Sequence, residues 1–410
     1  MTPDVTERSA LARTRGGDAA ERSESGGRDE FLEDFAHVRV EAGERYFAAD
    51  ADRIARLCHR AAERFARGGR LIALGRSPSA RSDARHVAVE FVHPVIVGKR
   101  ALPALALTAE GGPLPAQVAL VAEPDDLLIA FERDDPETAE AAALASARGC
   151  LTLEFDPPGE PFVRQELVET AYHVLWELVH VFFEHRGLLE GRRAETVHDS
   201  GASAFLYPFL GEQEQDLEAV VADVRASVLA KAAETARLRE QTLTGNAAVL
   251  HAAAADLRSA FASGGRLLAL GNGGSATDAM DAVADFHAPF GGGPARPAID
   301  LTEDTGILTA LANDIGPDAM FARQLIAHAR PADVLLALST SGTSGSVIAA
   351  LAEARRRGLR TIAMVGYDGG SVEADALADH VVISRSEHIP RIQEAQASAY
   401  HALRVLVEQS

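Results

Sequence analysis

The chain repeats part of itself, and this duplication limits the folds that it can adopt. Residues 65–75 read FARGGRLIALG, and residues 261–271 read FASGGRLLALG. Three further echoes follow in the same order: PALALTAE with PAIDLTED, DDLLIAF with ADVLLAL, and ETAYHVL with ASAYHAL. Four matches in one order indicate a duplicated domain. A length of 410 residues agrees with two domains.

The pattern of apolar runs predicts an α/β fold for each copy. A long amphipathic helical stretch, at residues 31–67 and again at 216–262, runs into Gly-Gly and a short apolar strand. Apolar strands then alternate with helical segments, which is typical of a parallel sheet covered on both faces. In the second copy these strands are predicted at residues 266–270, 298–301, 334–338, 361–365 and 381–384. We therefore expect two tandem three-layer αβα domains, each a mostly parallel sheet flanked by helices.

The two copies differ in length. The first copy has only DPPGEP between its fourth strand and its last helix, where the second copy has a further strand, so the first domain is expected to be trimmed. The predicted division is a disordered polar tail at residues 1–28, a divergent domain at 29–186, a linker at 187–213 and a second domain at 214–410.

Charge and composition exclude several classes of partner. The formal net charge of −20 argues against a nucleic-acid backbone, because proteins that bind it concentrate Lys and Arg. No apolar run approaches the ~20 residues of a membrane helix, so no membrane partner is expected. The first residues contain no apolar signal core, and the two cysteines, Cys58 and Cys150, do not form a Cys-x-x-Cys pair. These features predict a cytoplasmic protein.

Two loops of the second copy follow strands and precede helices, where parallel sheets bind ligands. The loop GNGGS offers Asn272, Gly273, Gly274 and Ser275, and the loop STSGTS offers Ser339, Thr340, Ser341 and Ser344. Amides, hydroxyls and helix dipoles together are suited to a phosphate. Ordinary helix caps use the same residues, but two such loops on one sheet favour an anion site. The first copy has GRSPS and FERDD instead, whose carboxylates would repel a phosphate.

Candidate catalytic and metal-binding residues lie on predicted helices. In the first copy, His86 and Glu90 are four residues apart and share one helix face, and Gln165 and His173 are eight apart on another helix. These four could hold a divalent metal, with zinc the leading candidate, or act as base and acid. The corresponding set in the second copy is Asp281, Asp285, Gln393 and His401, an alternative metal set with harder donors. The alternative is that both domains merely retain inherited polar helices.

The second copy, from about residue 216 to 410, resembles the SIS (sugar isomerase) domain, specifically the phosphoheptose isomerase branch. The segments that carry the resemblance are GNGGSATDAM, AND, LLALSTSGTS, TIAMVGYDGG and RIQEAQASAYH. The resemblance implies a five-stranded parallel sheet, homo-oligomers with active sites near subunit interfaces, and conversion of sedoheptulose 7-phosphate to heptose 7-phosphate through an enediol, usually with zinc. The first copy resembles the same family more faintly.

The resemblance also implies roles for individual residues. Asn272, Ser275, Ser339, Thr340, Ser341 and Ser344 would hold the phosphosugar, Asp314 would face the site, and Gln393 and His401 match metal and acid/base positions. Asp281 and Asp285 depart from the family's His and Glu, whereas His86, Glu90, Gln165 and His173 restore the full quartet in the first copy. The catalytic candidates are therefore Glu90 and His173, or Asp285 and His401.

One domain thus keeps the phosphate loops, and the other keeps the metal and acid/base residues. We expect the halves to divide the labour, either in one site shared at their interface or in one binding site and one metal site. The predicted function is a phosphosugar aldose–ketose isomerase, acting as a homodimer or higher homo-oligomer. The alternative is a non-catalytic phosphosugar sensor or scaffold. A nucleotide-binding enzyme is disfavoured, because the second copy lacks a G-x-G-x-x-G turn and no Walker lysine is present.

Overall fold

The computed structural model describes residues 14–95, 99–185, 188–189, 216–288 and 293–409, with side chains described from residue 30 onward. The first half contains α1 (Thr14–Ala66), β1 (Leu71–Gly75), α2 (Pro78–Val92), β2 (Ala104–Thr108), α3 (Leu114–Val121), β3 (Leu127–Ala130), α4 (Pro136–Ala147), β4 (Leu151–Leu153) and α5 (Pro161–Glu184).

The second half repeats this alternation and extends it. It contains α6 (Leu217–Gly245), α7 (Ala247–Ala262), β5 (Leu267–Leu270), α8 (Gly274–His287), β6 (Ala298–Asp300), α9 (Thr305–Asp314), α10 (Met320–His328), β7 (Val334–Ser339), α11 (Gly345–Arg356), β8 (Arg360–Gly366), α12 (Gly370–Ala374), β9 (His380–Ser384) and α13 (Ile389–Glu408). In the described part of the chain, no helix is both long enough and apolar enough to cross a membrane.

The two sheets have the same topology. The first half has the strand order β2-β1-β3-β4, and the second has β6-β5-β7-β8-β9. All pairings are parallel. Strands β1 and β5 are apolar and buried at every position, because helices cover both faces of each sheet. The predicted α/β class, the five strands of the second copy and the shorter sheet of the first are confirmed.

An ion pair at the start of each sheet is repeated as well. The guanidinium of Arg70 lies 2.7 Å from the carboxylate of Asp126, and that of Arg266 lies 2.7 Å from that of Asp333. Each aspartate also accepts a hydrogen bond from the backbone N–H of its arginine. Both carboxylates therefore hold the beginning of the central strand against the neighbouring one.

The long helices cross between the halves. Leu32 and Ala36, near the start of α1, are buried in the core of the second half. Val220 and Val224, near the start of α6, are buried in the core of the first half. Helices α1 and α6 also pack along each other. Each long helix thus begins on one half and leads into the sheet of the other, which joins the two cores.

Two helix boundaries differ from the sequence prediction. Helix α1 begins at Thr14, so residues 14–28, which were expected in the tail, are helical; residues 1–13 lie outside the described residues. The single stretch predicted at 216–262 is two helices, separated at Asn246. The side chain of Asn246 donates to and accepts from the backbone of Ile383 in β9. These hydrogen bonds connect the junction of the two helices to the sheet. Most of the predicted linker lies outside the described residues.

Candidate active site between the two halves

Four helices bring the candidate residues of both halves together. Helices α2 and α8, each of which follows the central strand of its sheet, pack directly against each other. Helices α5 and α13, the last of each half, also pack against each other and against this pair. Ser77 caps α2 by accepting the N–H of Ala80, and Gly273 begins α8 with a φ of 59°. The predicted site residues on these helices are buried, except Gln165 and Gly274, which are half-buried.

The first cluster combines residues of both halves. Nε2 of His86 lies 3.3 Å from Nε2 of His173 and 3.2 Å from the amide nitrogen of Gln393, which belongs to the second half. Oε1 of Glu90 lies 3.9 Å from the same His86 nitrogen. All four side chains are buried. We call this group the His86 cluster.

The second cluster occupies the matching position in the other half. Nε2 of His401 lies 3.6 Å from Oδ2 of Asp281 and 3.5 Å from Oδ2 of Asp285. The amide of Gln165, from the first half, donates a 2.9 Å hydrogen bond to Asp281. Asp281 also accepts hydrogen bonds from Tyr400 and Ser82. We call this group the His401 cluster.

The two glutamines are therefore exchanged relative to the sets expected from the sequence. Gln165 joins the His401 cluster, and Gln393 joins the His86 cluster, so neither quartet comes from one copy alone. The physical reason is helix length. Eight residues advance ~12 Å along a helix axis, which separates Gln165 from His173 on α5 even though both lie on similar faces. The neighbouring helix supplies the missing donor in each case.

Two glutamates orient the histidines across the interface. Oε1 of Glu394 lies 3.0 Å from Nδ1 of His173, and Oε1 of Glu166 lies 2.8 Å from Nδ1 of His401. Each glutamate belongs to the half opposite its histidine. A carboxylate on Nδ1 fixes the ring orientation and directs Nε2 into the cluster.

The two loops of the second half that are predicted to bind phosphate meet beside the His86 cluster. The side-chain N–H of Asn272 donates a 2.9 Å hydrogen bond to Ser346 in the first turn of α11, which joins the two loops. A Cβ placed on Gly274 would lie 2.0 Å from Nε2 of Gln393 and 3.1 Å from Oε1 of Glu90. The absence of a side chain at Gly274 thus lets the loop approach Glu90 of the first half.

The STSGTS loop is folded by its own hydroxyls. Oγ of Ser339 accepts the N–H of Gly342, and Oγ of Ser341 accepts the N–H of Thr343. Gly342 has a φ of 63°, and a Cβ there would lie 2.2 Å from the carbonyl oxygen of Gly369. Ser344 is the N-cap residue of α11, and its hydroxyl makes no capping hydrogen bond. The loop therefore presents hydroxyls and the amides of a helix start.

The remaining predicted substrate residues lie at different depths. Ser275 is buried in the first turn of α8, and Thr340 is half-buried at the end of β7. Asp314 is exposed at the end of α9, where its carboxylate accepts a hydrogen bond from Asn313. The structure thus brings the two loops together, but it gives Asp314 no hydrogen bond to them among the described residues.

The first half has a different cavity at the corresponding edge of its sheet. This cavity measures about 1230 Å³, and its lining carries both signs of charge. The carboxylates include Glu132, Asp134, Asp135, Glu154 and Asp156, and three of them form ion pairs with the lining arginines Arg76, Arg133 and Arg164. Arg76, which stands where Asn272 stands in the second half, forms an ion pair with Asp135 at 3.1 Å. That this half does not bind phosphate by itself stays a prediction.

Burial and neighbouring charges shift the pKa values in the His86 cluster. Burial lowers the pKa of His86, but the carboxylates of Asp278, Glu169 and Glu90 outweigh it and raise that pKa to about 10. Burial raises the pKa of Glu90 to about 7, against the opposing effect of His86. Burial also lowers the pKa of His173 to about 4, although Glu394 opposes the shift. The carboxylates around His86 thus favour a positive charge at that side chain.

The donors of the His86 cluster fit a divalent metal. Its three members other than Gln393 can place ligand atoms within 4.8 Å of one another. Oε2 of Glu90 and Oε1 of Gln393 are buried without a hydrogen-bond partner among the described residues. Two imidazoles, a carboxylate and an amide oxygen are a donor set that zinc accepts. The alternative set named from the sequence fits less directly, because Gln393 is not part of the His401 cluster.

Sequence reasoning missed the residues that support the clusters. Asp278 lies 3.3 Å from Nδ1 of His86, and Glu166 and Glu394 hold the other two histidines. A signal for the glutamates was present, since each follows its glutamine directly in both copies. Extending the Tyr-His echo back by eight residues would have found the repeated Gln-Glu pair. Asp278 has no such repeat and could not have been identified in this way.

Comparison with known proteins places these features in a family. The model of the SIS domain family matches residues 232–366. The phosphoheptose isomerase of Chlorobium phaeobacteroides is 45% identical over 178 residues, which cover 42% of this chain and 78% of that protein. The phosphoheptose isomerase of Chlorobaculum tepidum is 43% identical over 185 residues, which cover 44% of this chain and 88% of that protein.

A solved structure matches nearly the whole chain in fold. This structure is the C-terminal domain of glucosamine-fructose-6-phosphate aminotransferase from Francisella tularensis. The match covers 91% of this chain and 93% of the aminotransferase domain, with a TM-score of 0.55. The identity is 11%, so the similarity concerns the fold alone.

Proposed function

The chain belongs to the phosphoheptose isomerase family of SIS-domain proteins, and on this basis we propose that it is a phosphosugar aldose–ketose isomerase with one active site built from both halves. The observation that carries the proposal is the approach of Glu90 to Gly274. It brings a buried carboxylate of the first half, with its pKa raised to about 7, next to the phosphate loop of the second half.

The loops of the second half would bind the phosphate. The N-termini of α8 and α11 direct amides and positive dipole ends at the same region, and Ser339, Ser341 and Ser344 add hydroxyls. Asn272 holds the two loops together. A sugar phosphate anchored here would extend its carbonyl end toward the His86 cluster, because Gly274 of the GNGGS loop lies against Gln393 and Glu90 of that cluster.

Glu90 is the proposed base. It removes the proton from the carbon next to the carbonyl and returns it to the neighbouring carbon, through an enediol. His173 is the group proposed to move a proton between the two oxygens. Its Nδ1–H donates to Glu394, which directs Nε2 into the cluster, 3.3 Å from Nε2 of His86. The proton transfer is proposed for the site without a metal, because a bound metal would occupy this nitrogen.

A divalent metal, most simply zinc, is proposed to be held by His86, Glu90, His173 and Gln393. When bound, such an ion acts as a Lewis acid and stabilises negative charge that develops on the substrate oxygens. Asp278 supports this set by accepting from Nδ1 of His86, which directs Nε2 into the cluster.

The proposed substrate is sedoheptulose 7-phosphate. The relatives are named phosphoheptose isomerases, which supports a heptose phosphate, and the loops support a phosphorylated ligand. The relatives match less than half of this chain, so the contribution of the first half, which supplies Glu90 and His173, distinguishes this protein from them.

Proton NMR of the protein in deuterated water with sedoheptulose 7-phosphate tests the proposal. We expect loss of the C1 proton signal and appearance of the aldose, and we expect Glu90→Gln to reduce the rate by at least ~100-fold. Glu140→Gln, an exposed glutamate on α4, serves as the matched control and should leave the rate unchanged. Binding of the phosphosugar without exchange would instead indicate a sensor or scaffold.

A further inference from the structure

A row of alternating charges runs from His173 toward the surface of the protein. Oε1 of Glu394 lies 3.0 Å from Nδ1 of His173 and 3.2 Å from Nη2 of Arg391. The same guanidinium nitrogen donates to Oε1 of Glu177, and the ammonium of Lys231 donates to the other oxygen of Glu177. We call Glu394, Arg391, Glu177 and Lys231 the charge network.

The inner part of the charge network is shielded from water. His173, Glu394, Arg391 and Glu177 are buried, whereas 29% of the Lys231 side chain is exposed. Water and salt screen buried charges little, so the removal of one charge is felt by the next. Each buried charge lies beside an opposite one, which lets the row persist in the interior.

Thr235 joins the two members of the network that lie closest to His173. Its hydroxyl oxygen lies 2.6 Å from Oε2 of Glu394 and accepts a 3.0 Å hydrogen bond from Nη1 of Arg391. Arg391 therefore acts on Glu394 both directly and through Thr235. The orientation of the Glu394 carboxylate, and with it the direction of Nε2 of His173, thus depends on where Arg391 is held.

The His401 cluster has no such extension. In the internal repeat, the three outer positions of the charge network correspond to apolar residues, namely Val163, Val405 and Phe35. Glu166, which orients His401, is held by Arg39 at 2.9 Å, and Nη2 of Arg39 has no hydrogen-bond partner among the described residues. A glutamate can therefore orient a histidine in this helix arrangement without Glu177 and Lys231, so their presence at one cluster needs another reason.

We propose that Glu177 and Lys231 are positioning residues for the His86 cluster. They hold Arg391, Arg391 holds Glu394, and Glu394 directs His173. Glu177 lies on α5 of the first half and Lys231 on α6 of the second, so the charge network also fixes the two halves relative to each other at this cluster. The inference rests on the proposed function, which assigns His173 to the reaction.

Two measurements on the full chain test the proposal. The first is steady-state kinetics with sedoheptulose 7-phosphate. The second is proton NMR of the Nδ1–H of His173 in a chain labelled with nitrogen-15 at histidine, with the signal assigned by its loss in His173→Asn. This signal reports the hydrogen bond to Glu394, which a merely structural role of the outer residues would not change.

We expect Glu177→Gln to lower kcat ~10-fold with little change in KM, and to shift the His173 signal. Lys231→Met should act in the same direction with a smaller effect, because it lies one contact further out, and Lys231→Arg should restore both readouts. Arg237→Met, which removes an exposed cation on the same helix α6, is the matched control and should behave like the unmodified chain.

The NMR signal does not require turnover, so it separates this inference from the proposed function. If the unmodified chain has no isomerase activity, the proposed function fails, and the signal alone decides whether the charge network positions His173. An unshifted signal in Glu177→Gln, or an unchanged kcat in an active chain, would overturn the proposal. If Glu177→Gln does not fold, Lys231→Met, at a partly exposed position, decides the question by the same two readouts.

Discussion

The carboxylate of Glu394, in the second half, lies 3.0 Å from Nδ1 of His173, in the first half. Glu166 makes the reciprocal contact with His401 at 2.8 Å. The two halves thus orient each other's histidines, and this exchange ties the chemistry of each cluster to the integrity of the interface.

Glu394→Gln should lower turnover through the position of His173. The amide can still accept from Nδ1–H, but it carries no charge, so the ring is held less firmly. We expect kcat to fall ~10-fold or more while KM for the phosphosugar changes little, because the phosphate loops are unaffected. Steady-state kinetics measures kcat and KM separately. An equal change in both would argue against a positioning role for Glu394.

Glu394 should also make the free energy of unfolding depend on pH in the acidic range. Burial raises the pKa of Glu394, but Arg391 and His173 outweigh it and lower the pKa to about 2, whereas the unfolded chain has a value near 4.5. The ionised carboxylate therefore stabilises the fold above pH ~4.5, and this contribution is lost as the pH falls through about 2.

Urea unfolding at pH 7 and at pH 3 checks this effect. The unmodified chain should lose free energy of unfolding between the two values, and Glu394→Gln should lose ~1–2 kcal/mol less over the same interval. The same pH dependence in the variant and in the unmodified chain would show that the carboxylate does not contribute.

Gln393→Leu and Gln165→Leu form a matched pair that tests the exchange of glutamines. Gln393 lies against His86, so we expect its replacement to weaken metal binding at the His86 cluster by ~10–100-fold. Gln165 lies on the same helix as His173 but contacts Asp281, so its replacement should leave that affinity unchanged. Zinc titration measures the affinity of both variants. If Gln165→Leu weakened zinc binding more than Gln393→Leu did, Gln165 would be the ligand, as expected from the sequence.

Gly342→Ala should disturb the phosphate loop. Its φ of 63° is strained for a residue with a side chain, and the added Cβ would lie 2.2 Å from the carbonyl oxygen of Gly369. We expect affinity for the phosphosugar to fall at least ~10-fold. Gly245→Ala, at the end of α6, meets nothing within 4 Å and should leave binding unchanged. Equal affinity of both variants for the phosphosugar would show that this loop does not bind it.

Leu32→Ala tests the crossing of α1 onto the second half. Leu32 is fully buried in the core of that half, so we expect a loss of ~2–4 kcal/mol in the free energy of unfolding. Val38→Ala, at a position 45% exposed on the same helix, should cost far less. Denaturant unfolding compares the two, and equal small effects would mean that the start of α1 is not part of the core.

The sheets could be predicted because LIALG and LLAL are short, continuous apolar runs, which are typical of buried strands. The duplication also predicted which residues correspond between the halves. The break at Asn246 had a local signal in the pair Gly245-Asn246, but the hydrogen bonds to Ile383, more than a hundred residues away, could not be foreseen. Periodicity showed that Gln165 and His173 share a helix face, but it carried no information about the helix packed opposite them.

One measurement tests the central claim that each chain has a single active site built from both halves. Glu90→Gln alters the first half, and Ser341→Asp introduces into the second half a carboxylate like those of the FERDD segment. The rate of C1 proton exchange of sedoheptulose 7-phosphate in deuterated water is then compared with that of the unmodified chain. A composite site predicts that each variant alone loses at least ~100-fold in rate. Retention of about half of the rate by either variant would contradict it and would indicate two independent sites.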